Sequence, residues 1–189
     1  QWITFGGGGG VSGSLDDAYD NGSTITADVG SVAINGTAGI FVSGTFGSGL
    51  AVGATGGIPQ GEGTRMFFNP SKAAFRAGYV DGTQWDAANI GNYSTAMGYS
   101  TKASGSVSTS MGYYTTASGD NSTAMGYFTN ALGNQSTAMG YQTNALGNQS
   151  TAMGYFTTAS GSYSTAMGSD ITAPSFAETA VGRYNTTYT

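Results

Sequence analysis

The sequence predicts an all-β fold, a parallel β-roll or solenoid of fourteen-residue coils over residues 91–189, preceded by a small β-rich cap region with a short helix. Three observations predict it. The phrase GNQSTAMGY is spelled from Gly133 and again from Gly147, fourteen residues later. Within STAMGY the side chains alternate between uniformly small and larger, the period-two signature of a strand. Glycine is high, at 33 of 189 residues, and each glycine inside a helix costs about 1 kcal/mol relative to alanine, so the alternative of a two-heptad coiled coil fails. That alternative also lacks large apolar residues at a and d and charges at e and g.

The elements follow in chain order. Residues 1–13, with GGGGG at 6–10, read as a glycine-rich linker or N-terminal strand. Residues 14–90 read as a small β-rich cap or connector. Within them SLDDAYDNG carries Ser14 and Asp17 in a capping-box spacing, closed by Asn21-Gly22, which predicts a short helix. Asp16, Asp17 and Asp20 suit the helix dipole of that first turn better than a metal cluster. From Ser23 to Gly49, Val32/Ile34 and Ile40/Val42 alternate between Asn-Gly and glycine-rich turns, which predicts short strands. RMFFNPSKAAFRAGYV, with Arg65, Lys72 and Arg76 among aromatics, reads as a plug over the open end of the roll rather than as a ligand groove.

About seven coils follow. They open at Gly91, Gly105, Gly119, Gly133, Gly147, Gly161 and Ser175. The fourth column is Ser, with Glu178 in the last coil; the sixth is Ala except Ser110; the eighth is Gly98, Gly112, Gly126, Gly140, Gly154, Gly168 and Gly182. Alternation places Ser94, Ala96 and Gly98 and their equivalents inside, since closely spaced sheets admit only small side chains. Thr95, Met97 and Tyr99 then face outward. A second short strand carries Thr101 and Ala103, and the two glycine columns are expected to serve tight bends with positive φ.

An outward column of Met97, Met111, Met125, Met139, Met153, Met167 and Val181 is a continuous apolar stripe, which marks an interaction surface. A closed homo-oligomer would bury it around an axis; the alternative is a wider single-chain core. The tenth column varies beside fixed ones. Its Tyr114, Phe128, Gln142, Phe156 and Tyr184 are the candidate ligand face.

NQSTAMGYQTNALG (134–147), DNSTAMGYFTNALG (120–133) and GSYSTAMGSDITA (161–173) resemble the head repeats of trimeric autotransporter adhesins, the YadA-like head. The resemblance runs from Gly91 to about Asn185. It implies a left-handed roll, three chains around one axis, and attachment outside a cell. The same repeats occur in related trimeric surface and phage tail fibres, and GEGTRMFFNPSKAAFRAGYVDGTQWDAANIGNYSTAMGY resembles the lead-in to such arrays.

Composition narrows function further. Charged residues are 8% and net charge is −5, with only Arg65, Lys72, Arg76, Lys102 and Arg183 basic, so nucleic-acid binding is set aside. With no Cys and no His, the usual zinc, copper and iron ligands and the commonest general base are missing. Glycosidase chemistry needs only two carboxylates. None of Asp16, Asp17, Asp20, Asp28, Glu62, Asp81, Asp86, Asp120, Asp170 and Glu178 sits in a telling motif. No catalytic residue, cofactor site or metal site is predicted. No apolar run is long enough for a membrane helix, and QWITFGGGGG lacks the regions of a signal peptide. The expectation is an extracellular or cell-surface (alternatively virion) homotrimeric head, bound to an unknown surface, matrix or glycan ligand. The other readings are a structural filament or fibre shaft with no ligand of its own, and ice binding by the regular Thr column 95–179.

Overall fold

The structure, a computed structural model, describes residues 60–185. The expected linker, the helix over 14–22 and the strands over 23–49 lie outside the described residues. Fifteen strands and one 3-10 turn (Ala87–Asn89) are described. Strands β1 (Gly63–Asn69) and β2 (Ala74–Val80) form a hairpin. Each coil then contributes one long and one short strand. The long strands are β3 (Thr95–Tyr99), β5 (Thr109–Tyr113), β7 (Thr123–Tyr127), β9 (Thr137–Tyr141), β11 (Thr151–Tyr155), β13 (Thr165–Ser169) and β15 (Thr179–Arg183). The short ones are β4 (Lys102–Ala103), β6 (Thr116–Ala117), β8 (Asn130–Ala131), β10 (Asn144–Ala145), β12 (Thr158–Ala159) and β14 (Thr172–Ala173).

Long strands pair in parallel into a nine-stranded sheet with the hairpin, and short strands into a six-stranded sheet. Every pairing joins like to like: Thr137 to Thr151, Ala138 to Ala152, Met139 to Met153. The repeat thus folds as a β-solenoid, with six complete coils and the long strand of a seventh, where the sequence suggested about seven coils.

The interior is built from the Ser and Ala columns predicted to face inward, together with the Thr101 and Ala103 columns. Ala96, Ala124, Ala138, Ala152, Ala166 and the second-strand alanines are fully buried, with the Ser94 column and Thr101, Thr115, Thr129, Thr143 and Thr157. Ser94, Ser108 and Ser122 donate their hydroxyls to the carbonyls of Gly91, Gly105 and Gly119 at 2.6–2.7 Å. The one departure from Ala in the sixth column has a partner: Ser110 Oγ lies 2.7 Å from Thr115 Oγ1 and donates to the Thr115 carbonyl at 2.9 Å. A core of Ala, Ser and Thr buries little apolar area per residue. The coils are therefore held chiefly by their backbone ladders and by repetition of the same contact.

Two expectations are corrected here. The eighth-column glycines do not fill the interior; Gly112, Gly126, Gly140, Gly154 and Gly168 are exposed. Their φ of 121–131° breaks the simple alternation, and a Cβ there would lie 1.9–2.1 Å from the carbonyl oxygen of the next coil's glycine. The first-column glycines are required for the same close approach, not for positive φ: a Cβ at Gly133 would meet the Gly147 oxygen at 2.0 Å. The left-handed bends fall elsewhere, on the third and tenth columns, seven residues apart. There, non-glycine residues from Tyr93 to Tyr184 hold φ of 49–61°.

Strand β2 acts as a strand before the first coil. Arg76, Gly78 and Tyr79 stand opposite Ala96, Gly98 and Tyr99. Arg76 therefore points where the alanines point, into the end of the roll, and is fully buried. Its guanidinium donates to the carbonyls of Phe75, Ser94 and Ala103 and to Ser94 Oγ at 2.7–2.9 Å. Burial pushes its pKa down to about 10, still charged at neutral pH. Trp85 lies beneath with Phe67, Val80 and Ile90 and donates Nε1–H to the Thr101 carbonyl at 2.8 Å. Lys72 Nζ donates to Ala87 O and Ile90 O, and Arg65 stands 6.0 Å over the Trp85 ring. All three cations of the hairpin serve the plug.

The other end is finished with different chemistry. In earlier coils, Thr158 N, Ser160 N and Gly161 N donate to the carbonyls of Ile171 and Ala173 in the next coil. In the last complete coil Thr172 N donates instead to Asn185 Oδ1 at 2.7 Å, and Asn185 Nδ2 donates to Thr172 O at 2.5 Å. Pro174 has no N–H to offer. Ser175 N donates to Glu178 Oε2 at 2.8 Å.

Candidate functional site

The functional candidates are the outward columns. On the long-strand face the register sets Met97, Met111, Met125, Met139, Met153, Met167 and Val181 side by side, continued by Ala77 of β2. The methionines are half-exposed, with Met97 and Met167 at 37%, and Val181 reaches 69%. The Thr column beside them is half-buried from Thr95 to Thr165. A row of flexible thioethers on an exposed sheet is an adaptable apolar surface.

Beside it runs a feature that sequence reasoning placed outward but did not single out. Tyr79, Tyr99, Tyr113, Tyr127, Tyr141 and Tyr155 form one ladder with ring centroids 4.8–5.0 Å apart. The signal was available: Tyr recurs at the ninth column of five consecutive coils. Side chains of the tenth column pack across it at steep angles, as Phe128 does on Tyr127 at 4.8 Å and 74°, and Phe156 on Tyr155 at 4.5 Å and 84°. Such edge-to-face pairs add about 0.5–1.5 kcal/mol each beyond area burial.

The tenth column, the candidate ligand face, also has a structural duty. Its side chains do stand at the surface, but its backbone is a left-handed bend whose N–H donates to the preceding coil: Tyr114 N to Tyr99 O at 2.8 Å, Gln142 N to Tyr127 O at 2.8 Å, Tyr184 N to Ser169 O at 3.0 Å. Tyr114 is further committed. Its hydroxyl donates to Asp81 Oδ2, while Asp81 Oδ1 accepts from Ser100 Oγ at 2.5 Å and Gln84 Nε2 at 2.9 Å. The bonds from Ser100 and then Tyr114 hold the Asp81 carboxyl below its ordinary range, and the bond to Asp81 pushes the Tyr114 phenol up. Phe128, Gln142, Phe156 and Tyr184 remain on the open face.

Residues 90–115, 103–129, 117–143, 131–157 and 145–170 each match the YadA head domain repeat, two copies of the repeat per match. Over residues 90–170 the roll is a run of YadA head repeats. These YadA repeats make it a trimeric autotransporter adhesin head-like region, an adhesin head β-roll of a family that is structural and not enzymatic. Heads of the YadA family are trimeric and are displayed on the bacterial outer membrane. A comparison with curated proteins found no match. No described helix is long and apolar enough to cross a membrane.

Proposed function

We propose that this chain is the subunit of a homotrimeric attachment head, displayed outside the cell, whose three rolls meet along their Met columns. The observation that carries the reading is the half-exposed ladder from Met97 to Val181, in a region of YadA head repeats whose interior is already filled by Ala, Ser and Thr. A stripe of that length in water needs a cover, and a second and third copy present the same stripe in the same register. The aromatic columns would then look outward at each edge of the assembly. Weak contacts repeated over three chains gain through avidity. Side-chain caps at the last coil oppose stacking of further coils, which favours a head over a filament.

Native mass by analytical ultracentrifugation tests this. Three times 19.0 kDa is expected. Met139→Glu, which would place three carboxylates at the shared axis, is expected to give monomers, because unpaired buried charge costs several kcal/mol. A monomeric wild type, or a Met139→Glu trimer as tight as wild type, would overturn the reading.

A further inference from the structure

The aromatic ladder breaks at one coil. Opposite Tyr155 stands Ser169, and where the preceding coil has Phe156 this one has Asp170. The next coil returns to large side chains, with Arg183 opposite Ser169 and Tyr184 after it. Two short polar side chains therefore form the floor of a notch between two walls. The walls are two strand steps apart, about 10 Å.

The walls differ. Tyr155 stacks on Tyr141 at 5.0 Å on one side, and among the described residues no ring covers its other face. It is 48% exposed, against 37% for Tyr113 and Tyr141 within the ladder. Phe156 stands edge-on beside it. On the far wall the Arg183 guanidinium lies 4.6 Å over the Tyr184 ring and donates to its hydroxyl at 2.8 Å. On the floor Ser169 Oγ donates to Asp170 Oδ2 at 2.7 Å, which leaves Asp170 Oδ1 to accept.

We infer that this notch binds one neutral sugar ring, a pyranose unit of a surface glycan. The bare face of Tyr155 takes the C–H face of the ring, with van der Waals contact near 4 Å on each side, so one ring fits a gap of about 10 Å. The Asp170 carboxylate accepts from adjacent ring hydroxyls in charge-assisted hydrogen bonds. Charge decides the class. A cationic ligand is opposed by Arg183 and an anionic one by Asp170, while a polyhydroxylated neutral ring meets neither penalty. A single shallow notch gives weak binding, and a multivalent head turns weak sites into attachment. The inference deepens the attachment reading and rests on it for its purpose, but the notch is built within one chain.

The test titrates the full chain with glucose, galactose, mannose and N-acetylglucosamine, and with choline and glucuronate as charged probes, followed by amide NMR shifts. At least one neutral sugar is expected to give saturable shifts, in the millimolar range, at Tyr155, Phe156, Ser169 and Asp170. The double change Ser169→Tyr with Asp170→Phe continues the ladder as the preceding coil does. It should weaken that binding at least about tenfold. Asp170→Asn, which keeps the shape and removes the charge, should weaken it less. The inference is overturned if no neutral sugar saturates, if shifts persist in the filled variant, or if a charged probe binds more tightly than every neutral one. A monomeric mass with an intact titration would sink the trimer and leave the notch standing.

Discussion

Two residues in each coil hold the left-handed conformation, and the chain fills those places with Tyr, Val, Asn, Gln, Phe, Ser, Ala and Asp instead of glycine. Each non-glycine residue there costs about 1–2 kcal/mol, least for Asn and Asp and most for β-branched side chains. Val107, with φ of 57° and half its surface exposed, is the worst placed. Asn121 occupies the same column one coil on. Val107→Asn is therefore expected to stabilise the roll by about 1 kcal/mol, read as a raised midpoint in denaturant unfolding. An unchanged or lowered midpoint would mean that Val107 makes compensating contacts, for instance with another chain. The bends explain why columns three and ten vary so freely. The backbone is fixed by hydrogen bonds to the neighbouring coil while the side chain leans off a corner.

At the scale of elements, the hairpin β1–β2 is joined to the roll by three devices: strand pairing of β2 with β3, the buried Arg76, and the cluster of Asp81, Ser100, Gln84 and Tyr114. The cluster makes the joint sensitive to pH in two directions. Asp81 has a depressed folded-state pKa, so its contribution is present above the unfolded value near 4 and is lost as pH falls through the folded one. Tyr114 has a raised folded-state pKa, so its contribution is present below about 10 and is lost as pH rises through the folded one. Asp81→Asn should lower the thermal midpoint at neutral pH and flatten its dependence at both extremes. Parallel pH profiles for the two proteins would show that Asp81 does not tie the cap to the roll. The plug was legible in RMFFNPSKAAFRAGYV as a concentration of aromatic and basic residues. The place of Arg76 was not, because FRAGY resembles TAMGY only once the register with β3 is known.

At the scale of the whole roll, the edge of the last described coil carries different chemistry from the coils before it. An internal coil presents a glycine to its neighbour, free N–H groups and matching carbonyls. The last one presents Ser175, whose Cβ stands where glycine is required, Pro174 without a donor, and N–H groups already bonded to Asn185 and Glu178. A copy of residues 133–146 inserted after Leu146 should therefore fold into the array and raise its stability, as an added nearest-neighbour unit does. The same segment fused after Tyr188, which keeps the fourteen-residue register, should stay unprotected in amide hydrogen exchange. Equal protection at both places would show that the terminal coil is no barrier.

The period, the strand type and the small interior columns were determined by the sequence itself. A fixed fourteen-residue repeat of small alternating side chains has few ways to satisfy its backbone except by stacking on copies of itself. The Met stripe followed from the same alternation. Tertiary structure decided what depends on neighbours fourteen residues away. Glycine at the eighth column is needed because the next coil's carbonyl leaves no space for a Cβ. Tyrosines separated along the chain become one ladder, and Ser169 and Asp170 become a notch only because Tyr155 and Arg183 flank them in space. A column in sequence gives the residue type. Only the stacking distance of about 5 Å gives the contact.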